Sequence, residues 1–418
     1  MTDLRTSTAA SDLAPLAAIP ASEPPLSVLI GLEGLALGGC PINALDLGWT
    51  LRQRGHRVSV FAIEEDVKVS LLPYAASRGF SPTLLPAQAR IVDRARQIHE
   101  LAGVVGADVT HVFGPWLGPA ATAAMVSRRP GVAIVTNWMM ENVFYTPRHT
   151  PVIVGTQRLR DELEPRHAGR VWLMEPPIDL VADAPDASRG REFRHTWGIG
   201  DDELAVVVVG RVDEHLKAEG LGYAIRAMET SDPRLRLVIV GDGDAFQQIR
   251  TSAEDVNHRL GRTAVVLTGS MSDPRPAYDA ADIALGMGGS ALRALAHGKP
   301  LVVLGQHGFA RVFEPASADY FYDAGFYGVQ RPDDPVRHLA ALVQSLSGAE
   351  RRLTLGEFGL SEVRARFGLE TGAARLEQIY RFTLAHLPST PQRFVVAAAQ
   401  VARGTAREQW HALRGALG

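Results

Sequence analysis

The sequence predicts an α/β protein built from two consecutive doubly wound halves, each a parallel sheet covered by helices. Three observations carry that expectation. Short runs rich in Val and Ile alternate with helix-periodic segments along most of the 418 residues. The alternation breaks once, after Glu175-Pro176-Pro177-Ile178-Asp179, and restarts at Leu204. The chain is also longer than one hydrophobic core usually serves, and its 46% apolar residues are enough for two.

The strand candidates of the first half are Leu26–Ile30, Val58–Ile63, Val109–Phe113, Val132–Thr136, Val152–Val154 and Val171–Leu173. Those of the second are Leu204–Val209, Leu235–Val240, Ala264–Thr268, Ile283–Leu285 and Leu301–Leu304. Their unbroken apolar character suits strands buried on both faces. A helix opened by Pro41 carries Ile42, Leu45 and Trp49 on one face and closes at Gly55. Val181–Arg191, rich in Ala and Asp and broken by Pro185 and Gly190, has no strand or helix period and is expected to be the linker.

The expected organisation is therefore a flexible leader over 1–24, a first Rossmann-like domain over 25–183 and a second over 184–370. A helix over 371–386 crosses back to the first domain, and a helical extension fills 387–418. That extension, about Phe394 to Leu413, allows two readings. Arg393, Arg403, Arg407 and Arg414 against one acid, Glu408, suit a peripheral membrane contact. Phe394, Val395, Val401 and Trp410 suit packing on the body, which is the preferred reading.

A net charge of −3 argues against a nucleic-acid partner. The single cysteine, Cys40, permits no intramolecular disulfide and fits a cytoplasmic protein. No run approaches the ~20 apolar residues of a membrane helix, and the Ala-, Ser- and Pro-rich start lacks the pattern of a secretory signal.

Four glycine turns follow strands. The first, Gly31 to Gly39, suits close approach of backbone N–H groups to an anion. It lacks Gly-x-Gly-x-x-Gly spacing, and Glu64 lies further on than the ~20 residues a dinucleotide fingerprint wants, so a plain tight turn stands beside the anion reading. The second, Gly210 to Gly220, places Arg211 and Lys217 at a strand's carboxyl end, two cations suited to a diphosphate. The third is Gly241-Asp242-Gly243-Asp244. The fourth runs from Gly286 through Met287, Gly288, Gly289 and Ser290 into Ala291–His297. Ser290 is the expected N-cap, and Gly298 and Pro300 end the helix. Its N-terminus is expected to face a phosphate.

In order and spacing these motifs resemble the family-four glycosyltransferases of the GT-B fold, over about residues 26 to 385. The resemblance includes "LALGGCPINALDLGWTLRQRGHRVSVFA", "TPVIVGTQRLRDEL", "EPPIDL", "VGRVDEHLKAEGLGYAIRAM", "LVIVGDGD" and "TGSMSDPRPAYDAADIALGMGGSALRALAHGKPLVV". It implies that Arg211 and Lys217 hold the donor diphosphate and carry catalysis. Gly210, Gly241, Gly243, Ser270 and Met271 are implied around the nucleoside. Gly288, Gly289, Ser290, Ala291 and Arg293 are implied around phosphates and sugar. Gly38 and Gly39 match the loop facing diphosphate and acceptor. Trp138, Glu141 and Asn142, just past a first-domain strand, are expected on the acceptor side.

The resemblance implies a UDP- or GDP-linked sugar donor, a small-molecule or lipid-linked acceptor, and neither cofactor nor metal. The family's Glu-x7-Glu is absent: Arg293 stands at the second Glu, and the shortened Gly286–Gly289 loop has no counterpart of the first. Thr136-Asn137-Trp138 and Phe113 occupy positions where a histidine is usual. Retention then depends on the departing phosphate taking the acceptor proton. An inverting reaction would need a base, with Glu33, Glu141 and His111 as candidates. A sugar-nucleotide epimerase and a non-catalytic nucleotide-sugar-binding protein are the competing readings.

Overall fold

The structure, a computed structural model, describes residues 23–67, 69–126, 131–139, 149–214, 217–387, 389, 391–399, 401, 402 and 405. The strands are β1 (Ser27–Leu32), β2 (Arg57–Ile63), β3 (Thr83–Leu85), β4 (Val109–Phe113), β5 (Val132–Asn137), β6 (Val152–Val154), β7 (Val171–Leu173), β8 (Leu204–Val209), β9 (Leu235–Val240), β10 (Val265–Gly269), β11 (Ile283–Gly286), β12 (Leu301–Leu304) and β13 (Ala310–Val312). One sheet has the order β3-β2-β1-β4-β5-β6-β7 and the other β10-β9-β8-β11-β12-β13. Both are doubly wound as expected. The chain divides into two compact units. One draws on Met1–Ala36, Gly48–Val135 and Ala373–Gly418, the other on Leu37–Leu47 and Thr136–Gly372.

In the first sheet β1 pairs in parallel with both β2 and β4, Leu32 lying beside Ala62 and Phe113. In the second, β8 pairs with β9 and β11, and Val208 lies beside Leu285. The winding reverses at β1/β4 and at β8/β11. In open α/β sheets ligands bind beyond the carboxyl ends of strands at such a reversal. The apolar strand runs are explained by two cores. Val206, Val208, Leu237 and Ile239 enter one cluster. The alternate residues Val207, Val209, Val238 and Val240 enter the other. Each strand thus feeds both faces with period two.

Three expectations need correction. The stretch taken as a linker is helical from Ala187: Asp186 caps Ala187–Thr196 by accepting the Ser188 and Arg189 N–H groups. Gly190 packs against the backbone of Asp279, and Phe193 is buried. The helix has little amphipathic period because its fixing contacts are polar. β3 and β13 were not anticipated, being three-residue strands whose pairing comes from neighbours. In the terminal extension, Pro391–Ala399 is helical, and the other described positions are 387, 389, 401, 402 and 405. Phe394 and Val395 are 50% and 69% exposed. The described turn is held by Arg393, which donates to the carbonyls of Met125 and Gly131, and by buried Ala397.

Leu369–Ala385 is a helix whose Ala373, Leu376, Ile379 and Tyr380 are buried. Its Glu377 accepts from Arg54 at 2.9 Å and Arg381 at 3.0 Å, and His56 Nε2 lies 3.3 Å away. Among the described residues no helix is long and apolar enough to cross a membrane.

Candidate active site

The chemistry collects at the carboxyl ends of β8 and β11. β8 runs into Gly210 and Arg211, and the chain returns to start the helix Ala218–Ala227 with Lys217 at its N-cap. Arg211 is exposed. The Lys217 ammonium packs against Gly210, where any side chain would overlap Nζ. Burial holds the pKa of Lys217 below the usual lysine range. The Asp213 carboxylate opposes that shift and the Arg211 guanidinium adds to it. Desolvation and the Arg211 charge together outweigh the Asp213 carboxylate at this ammonium, and a dianionic phosphate would favour its charged form.

The Arg211 loop is laid over the turn after β9. Val212 N–H donates to Asp242 O at 3.1 Å, Ala245 N–H to Val212 O at 3.1 Å, and Gly210 N–H to Val240 O at 3.0 Å. A Cβ at Gly241 would overlap Gly210 O, and one at Gly243 would overlap Val212 O. These glycines therefore let the cation loop lie backbone to backbone on its neighbour. The exposed Asp244 carboxylate accepts from Glu214 and Ala245 N–H at 3.0 Å each, and Asp242 accepts from Gly243 N–H at 2.7 Å. Of the base-side residues, Ser270 is exposed and Met271 packs partly into the core.

The loop after β11 departs from expectation at its cap. Gly288, with φ 53° and ψ −129°, is the N-cap of the helix Gly289–Ala296, and Ser290 lies inside the first turn. The Ser290 hydroxyl instead donates to Met287 O at 2.9 Å and accepts from Met287 N–H at 3.3 Å. Gly288 at the N-cap has no side chain to supply the capping oxygen. The Gly288 N–H donates to Phe326 O at 2.9 Å. Phe326 is a buried residue in a left-handed conformation, φ 56°, held between Phe313, Phe321, Tyr322 and Phe367 rings. With Met287 and Gly288 committed, the N–H groups of Gly289, Ser290 and Ala291 are the first-turn donors that an α-helix leaves without internal partners.

Arg293, one turn on, lies 3.7 Å from Asp183. Asp183 belongs to a network that sequence reasoning missed. The buried His297 Nδ1 meets Asp279 Oδ1 at 2.7 Å, and Asp279 also accepts from Arg189 at 2.8 Å and Asp186 N–H at 2.9 Å. Burial opposes charge on His297, but the Asp183 and Asp279 carboxylates outweigh it and raise its pKa. The sequence signal was the Ala-His-Gly-Lys-Pro run at the helix end, where a histidine is easily taken for a solvated cap.

Gly38 lies in the same unit as Arg211, and a Cβ there would sit 3.4 Å from Arg211 Nη2. Gly39 begins the helix Gly39–Gln53, with open space where a side chain would be. Earlier in that turn the anion reading fails. The Leu35 and Ala36 N–H groups already donate to Glu65, at 3.0 and 3.3 Å. Trp138 donates to Met174 O at 2.8 Å and lies over Gly155. Glu141 and Asn142 lie outside the described residues.

Of the base candidates, His111 is fully buried with Nδ1 2.7 Å from Tyr380 OH, and burial lowers its pKa to about 3. It is a neutral packing group. Glu33 is different: burial pushes its carboxyl up to about 7, against the lowering effect of Leu117 and Trp116 N–H bonds.

Residues 203–347, which contain β8 to β13, match the sequence model of the family Glycosyl transferases group 1. The fold is GT-B. Anabaena HepE, solved in complex with UDP, superposes with a TM-score of 0.67 at 14% identity, covering 85% of this chain and 99% of that one. A glycosyltransferase from Rickettsia africae superposes at 0.66 and 12% identity, over 87% and 100%. WaaG, a glycosyltransferase involved in lipopolysaccharide biosynthesis, gives 0.57 and 17% over 84% and 99%. No curated protein matches the chain. In GT-B terms, the Arg211–Lys217 loop and the Gly288–Ala291 turn occupy the reversal point of the second sheet.

Proposed function

We propose that this protein is a cytoplasmic glycosyltransferase of the short Gly-Met-Gly-Gly-loop type that lacks Glu-x7-Glu. It moves a hexosyl group from a UDP- or GDP-linked donor to a small-molecule or lipid-linked acceptor, with retention and without a metal ion. The observation that carries this reading is the placement of Arg211, Lys217 and the Gly289–Ala291 amides beyond two neighbouring strands at a winding reversal. HepE was also solved with UDP-glucose, and the pneumococcal O-GlcNAc transferase GtfA, with TM-score 0.61, with UDP and GlcNAc. Both favour UDP as the donor nucleotide.

The bond between the anomeric carbon and the diphosphate oxygen breaks, and the acceptor oxygen bonds to the same carbon on the same face. The acceptor proton goes to the departing phosphate. Charge therefore grows on the diphosphate in the transition state, where Arg211, Lys217 and the helix amides stabilise it. Cations and oriented amides take the part a divalent ion plays elsewhere. The Arg293–Asp183 pair ties the donor helix to the segment before Ala187, so Arg293 acts on the donor through that helix's placement. Incubation with UDP-, GDP- and dTDP-sugars in EDTA tests the reading. Consumption of a UDP- or GDP-sugar undiminished by EDTA is expected. Activity that vanishes in EDTA and returns with Mg²⁺ or Mn²⁺ contradicts metal independence, and epimer formation contradicts transfer.

A further inference from the structure

We propose that Gly325–Gly328 is a strap that positions the donor diphosphate, and that Phe326 is its positioning residue. This rests on the transferase reading and adds the part that sets the donor helix Gly289–Ala296. The loops after β11 and β12 leave the sheet side by side, Gly286 lying beside Val303. The strap is bonded to both. Phe326 O accepts the Gly288 N–H at 2.9 Å, and Gly328 O accepts the Gln306 N–H at 3.0 Å. A Cβ at Gly305 would overlap Gly328 O, so the strap lies backbone to backbone on the second loop. The next residue, His307, donates its N–H to Glu219 at 3.2 Å. Glu219 stands in the first turn of the helix whose N-cap is Lys217. One connection thus runs from the donor helix to the helix that follows the cation loop.

Backbone conformation marks both ends of this connection. Among the described residues the non-glycines with left-handed φ are Phe326 and His307, both at 56°. Ending the helix Ala318–Ala324 takes one left-handed residue, and Gly325 supplies it at φ 75°. Phe326, left-handed as well, is not needed for that, and its carbonyl is the one that meets Gly288. A bulky residue rarely keeps such a backbone unless its surroundings impose it. Here the side chain is buried among four aromatic rings, and that packing offsets the strain. Gly288, tied to Phe326, starts the helix whose first amides the transferase reading gives to the diphosphate.

Full-length wild type, Phe326→Ala and Phe326→Gly are titrated calorimetrically with UDP and GDP in EDTA. Both variants lose the ring, but glycine alone keeps a left-handed backbone at no steric cost. Phe326→Ala should weaken diphosphate binding about tenfold, the scale of one lost hydrogen bond to a charged group. Phe326→Gly should recover much of that loss. A role in packing alone predicts the reverse order, since glycine fills less of the aromatic cluster. Wild-type affinity in Phe326→Ala, or binding by Phe326→Gly no tighter than by Phe326→Ala, overturns the proposal. Residue-resolved hydrogen exchange on the wild type supplies a reading that depends on no variant's folding. The Gly288 and Gln306 N–H groups should be protected without nucleotide, and free exchange at either overturns the proposal as well. Absence of diphosphate binding by the wild type rejects the donor reading and the strap's role with it, whereas wild-type binding that Phe326→Ala leaves intact rejects the strap alone.

Discussion

Lys217 packs its ammonium on Gly210, with the Asp213 carboxylate favouring its charge and Arg211 and burial opposing it. Removing one charge-assisted contact to a desolvated phosphate costs on the order of 2–4 kcal/mol, roughly 30- to 1000-fold in rate. Lys217→Ala and Arg211→Ala should lose that much kcat/KM for donor consumption while keeping the wild-type circular dichroism spectrum. Lys217→Arg should recover only part, because a planar guanidinium does not fit the space against Gly210. Near-normal turnover in either alanine variant contradicts the assignment.

Glu33 gives a prediction of opposite kind. Its pKa rises on folding from 4.5 to about 7, so between those values the folded state holds more proton than the unfolded one. Stability from this group is present below about pH 4.5 and is lost as pH rises through about 7, a total of about 3 kcal/mol. Glu33→Gln should match wild type in urea denaturation at about pH 4 and exceed it at about pH 8. Equal pH slopes in both proteins would show the carboxyl to be unshifted. That Arg211 and Lys217 both follow β8 was legible in the sequence, because the strand, the glycine after it and the two cations are contiguous. The Glu33 clamp was not, because its partner is 83 residues away.

At the scale of elements, the glycine turns do different work from one another. The Gly241 and Gly243 turn matters as a bed for the cation loop, since each faces a backbone carbonyl where a Cβ would stand. Gly243→Ala must push Val212 aside, so it should lower the melting temperature and weaken UDP binding together. Gly222→Ala, inside the helix Ala218–Ala227, meets nothing within 4 Å and should do neither. Differential scanning fluorimetry with and without UDP reads both effects, and equal behaviour of the two variants would contradict this account. Most strands were legible because doubly buried strands are continuous apolar runs. The helix Ala187–Thr196 was not, since Asp186, Arg189 and Arg194 fix it through Asp279, Asp282 and backbone carbonyls. Ser290 was misplaced by one turn position because Gly288 adopts a conformation no sequence period reports. Phe326 shows a similar limit: its left-handed backbone is imposed by ring packing from four partners distributed over Phe313 to Phe367.

For the whole molecule, the central claim is that the second sheet's reversal point holds a nucleoside diphosphate. A ligand that binds only the folded state raises its stability by RT ln(1 + [L]/Kd), about 2.7 kcal/mol at a hundredfold excess over Kd. The most direct measurement is the melting temperature of the full chain with UDP, GDP, dTDP and CDP, made in EDTA on wild type and Lys217→Ala. The account predicts a rise with UDP or GDP in wild type that is largely lost in the variant. No rise with any diphosphate, or an equal rise in Lys217→Ala, would contradict it.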